Sequence, residues 1–393
     1  MNLRISKSQS GFSLLELLIA SVIGFTLMVA MTSLFRMGMA TTFTITQRAE
    51  TQQNMRSAID LMTKDISMAG AGLPTGGLQL PNSNGSSRIA CNQTGTCYLP
   101  GDTYPTVLGN PNYMTGVVPG FGTGVEDGVL IPAAAGPVND SITSIYCDYN
   151  FPLTNFTFSF PVSAASASVT LVATPTAGLP NNILAPGGFN VGDLLLFMVQ
   201  TPGNGKTTQG TSLAQTAVAI GEITGLPAAG SGSPWAISFA AGDPLNFNGQ
   251  TGPNSLANAA ANFGGVNQVS VCRLYAVTYF LEVPPAGPTV QTPRLMRQVN
   301  GLTAVPVADN IINLQFTYDV INTLTNNVDA NQANPAVAPG DSTALIQKVN
   351  MWVMGQGLAT GNNRAQSMYL ASSVATRNTS FCNSYAYLKT VCQ

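Results

Sequence analysis

The residue types and spacings that could carry chemistry stand near the amino terminus. Gly11 and Phe12 form a small-to-aromatic junction directly after a short leader carrying Arg4 and Lys7, and Glu16 is the single charge in the apolar run from Phe12 to Phe35. In an ordinary secretory signal the small-residue cleavage site follows the apolar region. Here Gly11 precedes it, so cleavage at that point would leave the apolar segment on the mature chain. A carboxylate inside a membrane helix costs on the order of 2.5–3.5 kcal/mol near the bilayer centre. Glu16 therefore calls for a positive partner.

Other chemistries are poorly supplied. The 393 residues include no histidine, which removes Ser-His-Asp and Cys-His nucleophile activation and the commonest transition-metal ligand. A hydrolase with two placed acids needs no histidine. The adjacent pair Glu126 and Asp127, however, stands in a glycine-rich stretch that reads as a solvated turn. The chain is read as non-enzymatic, with no cofactor. No metal ligand set is assigned, although the sparse acids allow a calcium site without specifying one.

Six cysteines, an even number, fit an exported domain in an oxidising compartment. Cys91 with Cys97 and Cys382 with Cys392 enclose short loops, which leaves Cys147 with Cys272, both inside expected strands. This is one of 15 connectivities open to six cysteines. CxxC spacing is missing, which disfavours a metal reading.

The element that positions Glu16 is a helix. The 24 residues from Phe12 to Phe35 would span roughly 36 Å, enough to cross a hydrocarbon core of about 30 Å. Arg4 and Lys7 hold the leader on the cytoplasmic side and place the chain beyond the apolar run outside. The helical pattern continues beyond the membrane. From Thr44 to Ala69 no proline intervenes, and Met55, Ile59, Met62 and Ile66 form an apolar stripe on one face. Asp60 and Lys64 have the spacing of a favourable i,i+4 pair. Gly70, Gly72 and Pro74 supply a stop. The expectation is one helix of about 55 residues, its first half in lipid and its second half packed on a globular domain.

Lys7, Gly11, Phe12 and Glu16, in this order and spacing, resemble the class III signal of type IV prepilins and type II secretion pseudopilins. The resemblance implies that a prepilin peptidase cuts after Gly11 and methylates the new amino terminus at Phe12. It also implies that Glu16 pairs with the terminal amine of a neighbouring subunit during assembly. Residues 49–72, AETQQNMRSAIDLMTKDISMAGAG, are similar to the PilW family of minor pilins, as are VGDLLLFMVQ (191–200), DNIINLQFTYDV (309–320) and VNMWVMG (349–355). Together these stretches cover about a third of the chain. This resemblance implies inner-membrane insertion followed by transfer to a surface pilus. It further implies a place at or near the filament tip among other minor pilins and the major pilin, with a PilY-type adhesin as a further partner.

The remainder is rich in turns and short strands. Residues 73–125 are dominated by Gly, Pro, Asn, Ser and Thr and read as a long solvated excursion. Strands are expected at 128–131, 141–149, 155–160, 168–173, 193–199, 217–223, 235–239, 269–283, 294–299, 311–320, 346–354 and 367–376. No long helical pattern separates them, so an antiparallel arrangement is expected. In 235–239 the alternation turns Ile237 and Phe239 to one side. Tyr275, Tyr279 and Phe280 read as sheet core. Residues 240–265 and 322–340 read as flexible insertions.

The expected fold is α+β: a leader over 1–11, a helix over 12–69 that is transmembrane through 12–35, and a disulfide-stapled, β-rich exported domain over 70–393. Removing Arg4 and Lys7 from the 15 Lys and Arg leaves 13 against 17 Asp and Glu, so the mature chain is near −4. Nucleic-acid binding is not expected of it. Two alternatives share the anchor: a J-type pseudopilin of type II secretion, and an adhesin or binding module carried on a pilin-like helix.

Overall fold

The computed structural model describes residues 11–73, 78–81, 90–91, 97–98, 113–120, 125–126, 139–148, 156–159, 168–175, 183, 188–200, 216–228, 230–252, 254–258, 270–282, 293–322, 324–333, 335, 340–357 and 367–376. One helix, α1, runs from Leu14 to Ser67. Its start is set by Ser13, whose hydroxyl accepts from the Leu15 N–H while Glu16 reaches back to the Ser13 N–H, a reciprocal capping box. Its end is set by Gly70 and Gly72 at φ +79° and +74°, a left-handed conformation that glycine adopts at little cost.

Along the exposed half of α1 every hydroxyl from Ser21 to Thr46 that bonds does so to a carbonyl three or four residues earlier. Ser21, Thr26, Thr32, Thr41, Thr42, Thr44 and Thr46 all follow this pattern. Polar groups so satisfied need no water, which suits an apolar surrounding. Gly24 and Gly38 have open space where a Cβ would stand, so neither serves close packing within this chain.

The β-rich part is built from β1 (Val117–Gly120), β2 (Ser141–Asp148), β3 (Phe156–Ser159), β4 (Ser168–Pro175), β5 (Leu194–Gln200), β6 (Thr216–Glu222) and β7 (Trp235–Ala240). It continues through β8 (Ser270–Glu282), β9 (Arg294–Val299), β10 (Val305–Asp309), β11 (Ile311–Ile321), β12 (Val328–Gln332), β13 (Ile346–Gln356) and β14 (Ser367–Ala375). The largest sheet is organised on β8. One edge of β8 pairs with β5 and then with β9, and the other edge pairs with β2 and then, in parallel, with Val125–Glu126. β6 and β10 extend the sheet on one side, and β1 extends it beyond β2. A second sheet has the order β12-β11-β13-β14, and a third has β7-β4-β3, all antiparallel.

Two cores result. Met55, Ala58, Ile59, Met62 and Ile66 of α1 pack with Tyr279, Leu295, Phe316, Met351 and Val353. Each buried Met, Ile, Leu, Phe or Val among them contributes roughly 1.5–3 kcal/mol. The third sheet packs Phe158, Trp235, Ile237 and Phe239 against Phe197 of β5. Ile237 and Phe239 share a buried face, as the alternation indicated.

Several sequence expectations are corrected. Asp60 and Lys64 are exposed and are not joined by an ion pair; at a helix surface such pairs gain only a few tenths of a kcal/mol and are easily left unmade. The 73–125 excursion is anchored in the core at both ends, with Leu78, Leu80, Met114 and Val117 buried. Residues 240–252 fold back onto the protein: Leu245 and Phe247 are buried, and Asp243 accepts from the Phe247 and Asn248 N–H groups. Within 322–340 the chain forms β12. The strand at 305–309 lies outside the expected set; its Pro306 is tolerated because β10 stands at the sheet's edge, beside a register shift.

Candidate functional site

The amino-terminal junction is fully exposed and leads straight into α1. Ser13 N–H donates to Glu16 Oε2 at 3.2 Å, so the carboxylate sits over the first turn of its own helix. There it meets the positive end of the helix dipole, which favours an anion by about 0.3–1 kcal/mol. Gly11 and Phe12 lie immediately before this cap. A cut between them would place the new amine on Phe12, one residue from the N–H that Glu16 already engages. Glu16 therefore has a local partner that the sequence alone did not identify, supplied by the backbone.

From position 14 to 43 every residue of the helix is exposed, and Glu16 and Arg36 are the charged ones among them. It is the one helix among the described residues long and apolar enough to cross a membrane, with a mean hydropathy of 2.3 over its best window. No described part of the globular region covers it. An apolar surface of this length without a cover in the folded chain needs lipid or other helices around it.

The helix is joined to the domain by four side chains. Asp65 lies on the apolar stripe, three residues after Met62, and is buried. Its Oδ1 accepts from the Tyr146 hydroxyl at 3.0 Å, and its Oδ2 accepts from the Tyr279 hydroxyl at 2.6 Å and from Arg297 Nε at 2.8 Å. Tyr279 and Arg297 are directly opposite each other on β8 and β9, and Tyr146 is opposite Tyr275 on β2. Burial first, and then the Asp65 charge, push both tyrosine hydroxyls above their usual range. Burial opposes the Arg297 charge, but Asp65 more than reverses this and raises it. Both tyrosine hydroxyls therefore stay protonated, and Arg297 stays charged, across ordinary pH. The arrangement is an anchor: it ties the last turn of α1 to β2, β8 and β9 through one carboxylate.

Below the anchor the backbone is stitched into the sheet. Gly70 N–H donates to Ile145 O and Cys147 N–H to Ala71 O, each at 2.8 Å. Gly116 faces the Gly70 backbone so closely that a Cβ there would have no room. Cys147 and Cys272 form a disulfide, with Cα atoms 5.7 Å apart, that ties β2 to β8 in a third buried cluster. Cys91 and Cys97 are backbone partners in a two-residue ladder. Their side chains lie outside the described residues, as do the leader, Asp127, strand 128–131, Cys382 and Cys392.

Of the aromatic trio, Tyr279 and Phe280 are buried on opposite faces of β8, with Tyr275 half-buried beside Tyr146 at a ring separation of 5.7 Å. Tyr279 is thus core, as expected, and also part of the anchor. Asp65, Tyr146 and Arg297 escaped the sequence reading. The available signal was an acid at a stripe position, which demands partners when buried.

The family described as the prokaryotic N-terminal methylation motif matches residues 6–32, a stretch that includes Gly11, Phe12 and Glu16. No curated protein and no solved structure matches the chain. The matched motif, the single long apolar helix and the antiparallel β-rich domain support a type IV pilin-like prepilin, membrane-anchored and suited to pilus or pseudopilus assembly.

Proposed function

We propose that this chain is a minor pilin of the PilW type, a non-enzymatic subunit that helps to prime a type IV pilus and lies at or near its tip. The observation that carries the reading is α1 itself. Its first half is apolar and uncovered, and its second half is fastened into a large domain by Asp65. A helix built this way can leave lipid for a bundle of like helices while the domain travels as a rigid head.

Assembly would proceed through cleavage after Gly11, methylation at Phe12 and insertion of the helix among its neighbours. Glu16 offsets the amine of an adjacent subunit in that bundle, because burying either charge alone would be costly. The partners are a prepilin peptidase, the major pilin, other minor pilins and a PilY-type adhesin. The size of the β-rich domain favours a pilus over a J-type pseudopilus.

Mass spectrometry of the amino-terminal peptide from sheared filaments and from membranes tests this reading. A peptide beginning at methylated Phe12 in the filament fraction is expected. An uncut terminus in both fractions, with no filament signal, would sink the proposal.

A further inference from the structure

The chain between β11 and β13 brings an acid of β12 and an acid of the following turn together, with no basic side chain paired to either among the described residues. Asn322, directly after β11, is buried, and its amide orientation is set by Oδ1 accepting from the Leu324 and Thr325 N–H groups at 2.9 and 3.1 Å. Its Nδ2 must then point the other way. It donates to Asp329 Oδ2 at 2.9 Å and to Asp341 Oδ1 at 3.0 Å. One neutral nitrogen thus gathers two carboxylates and cancels neither charge.

Asp341 is 1% exposed; its second oxygen, Oδ2, accepts no hydrogen bond among the described residues, and its carboxyl lies within hydrogen-bond reach of Asp329. Two residues along the same turn, Thr343 is 2% exposed and its Oγ1 is also unpartnered. Lys348, on the neighbouring strand, is held by Asp319 at 2.6 Å. Gly340, at φ +89° and packed on Asn322 Oδ1, makes the turn that delivers Asp341 to this position.

We propose that Asp329 and Asp341, with Thr343, form a calcium site that Asn322 positions. The donors are all oxygen and bear two negative charges, which selects a hard divalent cation over zinc or copper. Calcium suits it better than magnesium because it tolerates an irregular shell with waters completing it. Asp329 is half-buried and leaves a side open to water for that purpose. With so few protein charges the affinity falls in the 10⁻⁴–10⁻³ M class of extracellular sites.

The test uses the full chain in detergent at pH 7.5. Bound calcium is counted by equilibrium dialysis with radioactive calcium, and thermal unfolding is followed in calcium, in magnesium and in a chelator. Calcium is expected to raise Tm by roughly 2–5 °C, with a smaller effect of magnesium. Asp341→Asn and Asp329→Asn are each expected to lose one bound equivalent together with that rise. Asp329 is half-exposed, so its variant keeps the test valid if Asp341→Asn does not fold. A parent chain that binds no calcium would overturn the site, as would variants that bind as much as the parent. A Tm indifferent to calcium but raised by Asp341→Asn would assign the pair a shared proton and equally overturn it.

Discussion

Arg297 Nε lies 2.8 Å from Asp65 Oδ2 across 232 positions of sequence, joining the last turn of the membrane-anchoring helix to the middle of the largest sheet. Both side chains are mostly sheltered, and the Tyr279 hydroxyl closes the triangle at 2.6 Å from the same oxygen. Force applied to α1 is therefore transmitted to the β-rich domain through a directional contact as well as through apolar packing.

Asp65→Ala would leave Arg297 and two tyrosine hydroxyls buried without their acceptor. Breaking one side of such a network costs about 3–5 kcal/mol. Guanidinium unfolding of the detergent-solubilised chain should show this loss. A cost below about 1 kcal/mol would mean that the apolar stripe alone fastens the helix.

Gly116→Ala should disrupt the joint between helix and sheet, because its methyl group would meet the Gly70 backbone, which no rotamer change can move. The expected cost is about 1–3 kcal/mol or more. Hydrogen exchange at the Gly70 and Cys147 amides should accelerate in the variant and stay slow in the parent.

Stability should fall with rising pH through Glu222. Burial, and then the nearby Asp243 charge, push its carboxyl from 4.5 up to about 8. Between these values the folded chain keeps a proton that the unfolded chain has released. The contribution is thus complete below pH 4.5 and is lost as the pH rises toward 8. Glu222→Gln removes the titration, so the variant should be more stable than the parent at pH 8.5 by on the order of 1–3 kcal/mol. The two should converge near pH 4.5. Denaturation midpoints at both pH values decide it, and equal offsets at both would contradict the assignment.

Cys147 and Cys272 are 125 positions apart, so their bond closes a long loop and restricts the unfolded chain. Replacing both with alanine should cost about 2–5 kcal/mol. Non-reducing peptide mapping of the parent should recover the two segments as one linked species.

Glu16→Ala removes the single acid of the apolar segment and the side-chain half of its capping box. Membrane insertion should persist, since the segment becomes more apolar, while recovery in sheared filaments should drop sharply. Normal recovery would show that the amine of a neighbouring subunit needs no carboxylate here.

Much of this molecule is legible in short stretches of its sequence. Met55, Ile59, Met62 and Ile66 announced a buried helix face because helical periodicity is a local property. The alternation in β7 similarly assigned Ile237 and Phe239 to one side. The insertions were misread because turn-rich composition says that the backbone bends, and says nothing about whether Leu245 or Phe247 then meets a core. Two-residue ladders such as Leu78–Gln79 with Tyr113–Met114 are too short to leave a periodic signal.

By itself the sequence determined the anchor: a run without charges other than Glu16, a junction before that run, a stripe after it, and a glycine stop. Each depends on residues within a few positions of one another, where chain connectivity already sets the geometry. The tertiary structure alone decided the roles of Asp65, of Asn322 and of the acids gathered around it. Their partners come from strands and turns remote in the chain, and only sheet register and the path of each turn set those distances. A buried acid states that it needs a partner; the fold determines which one.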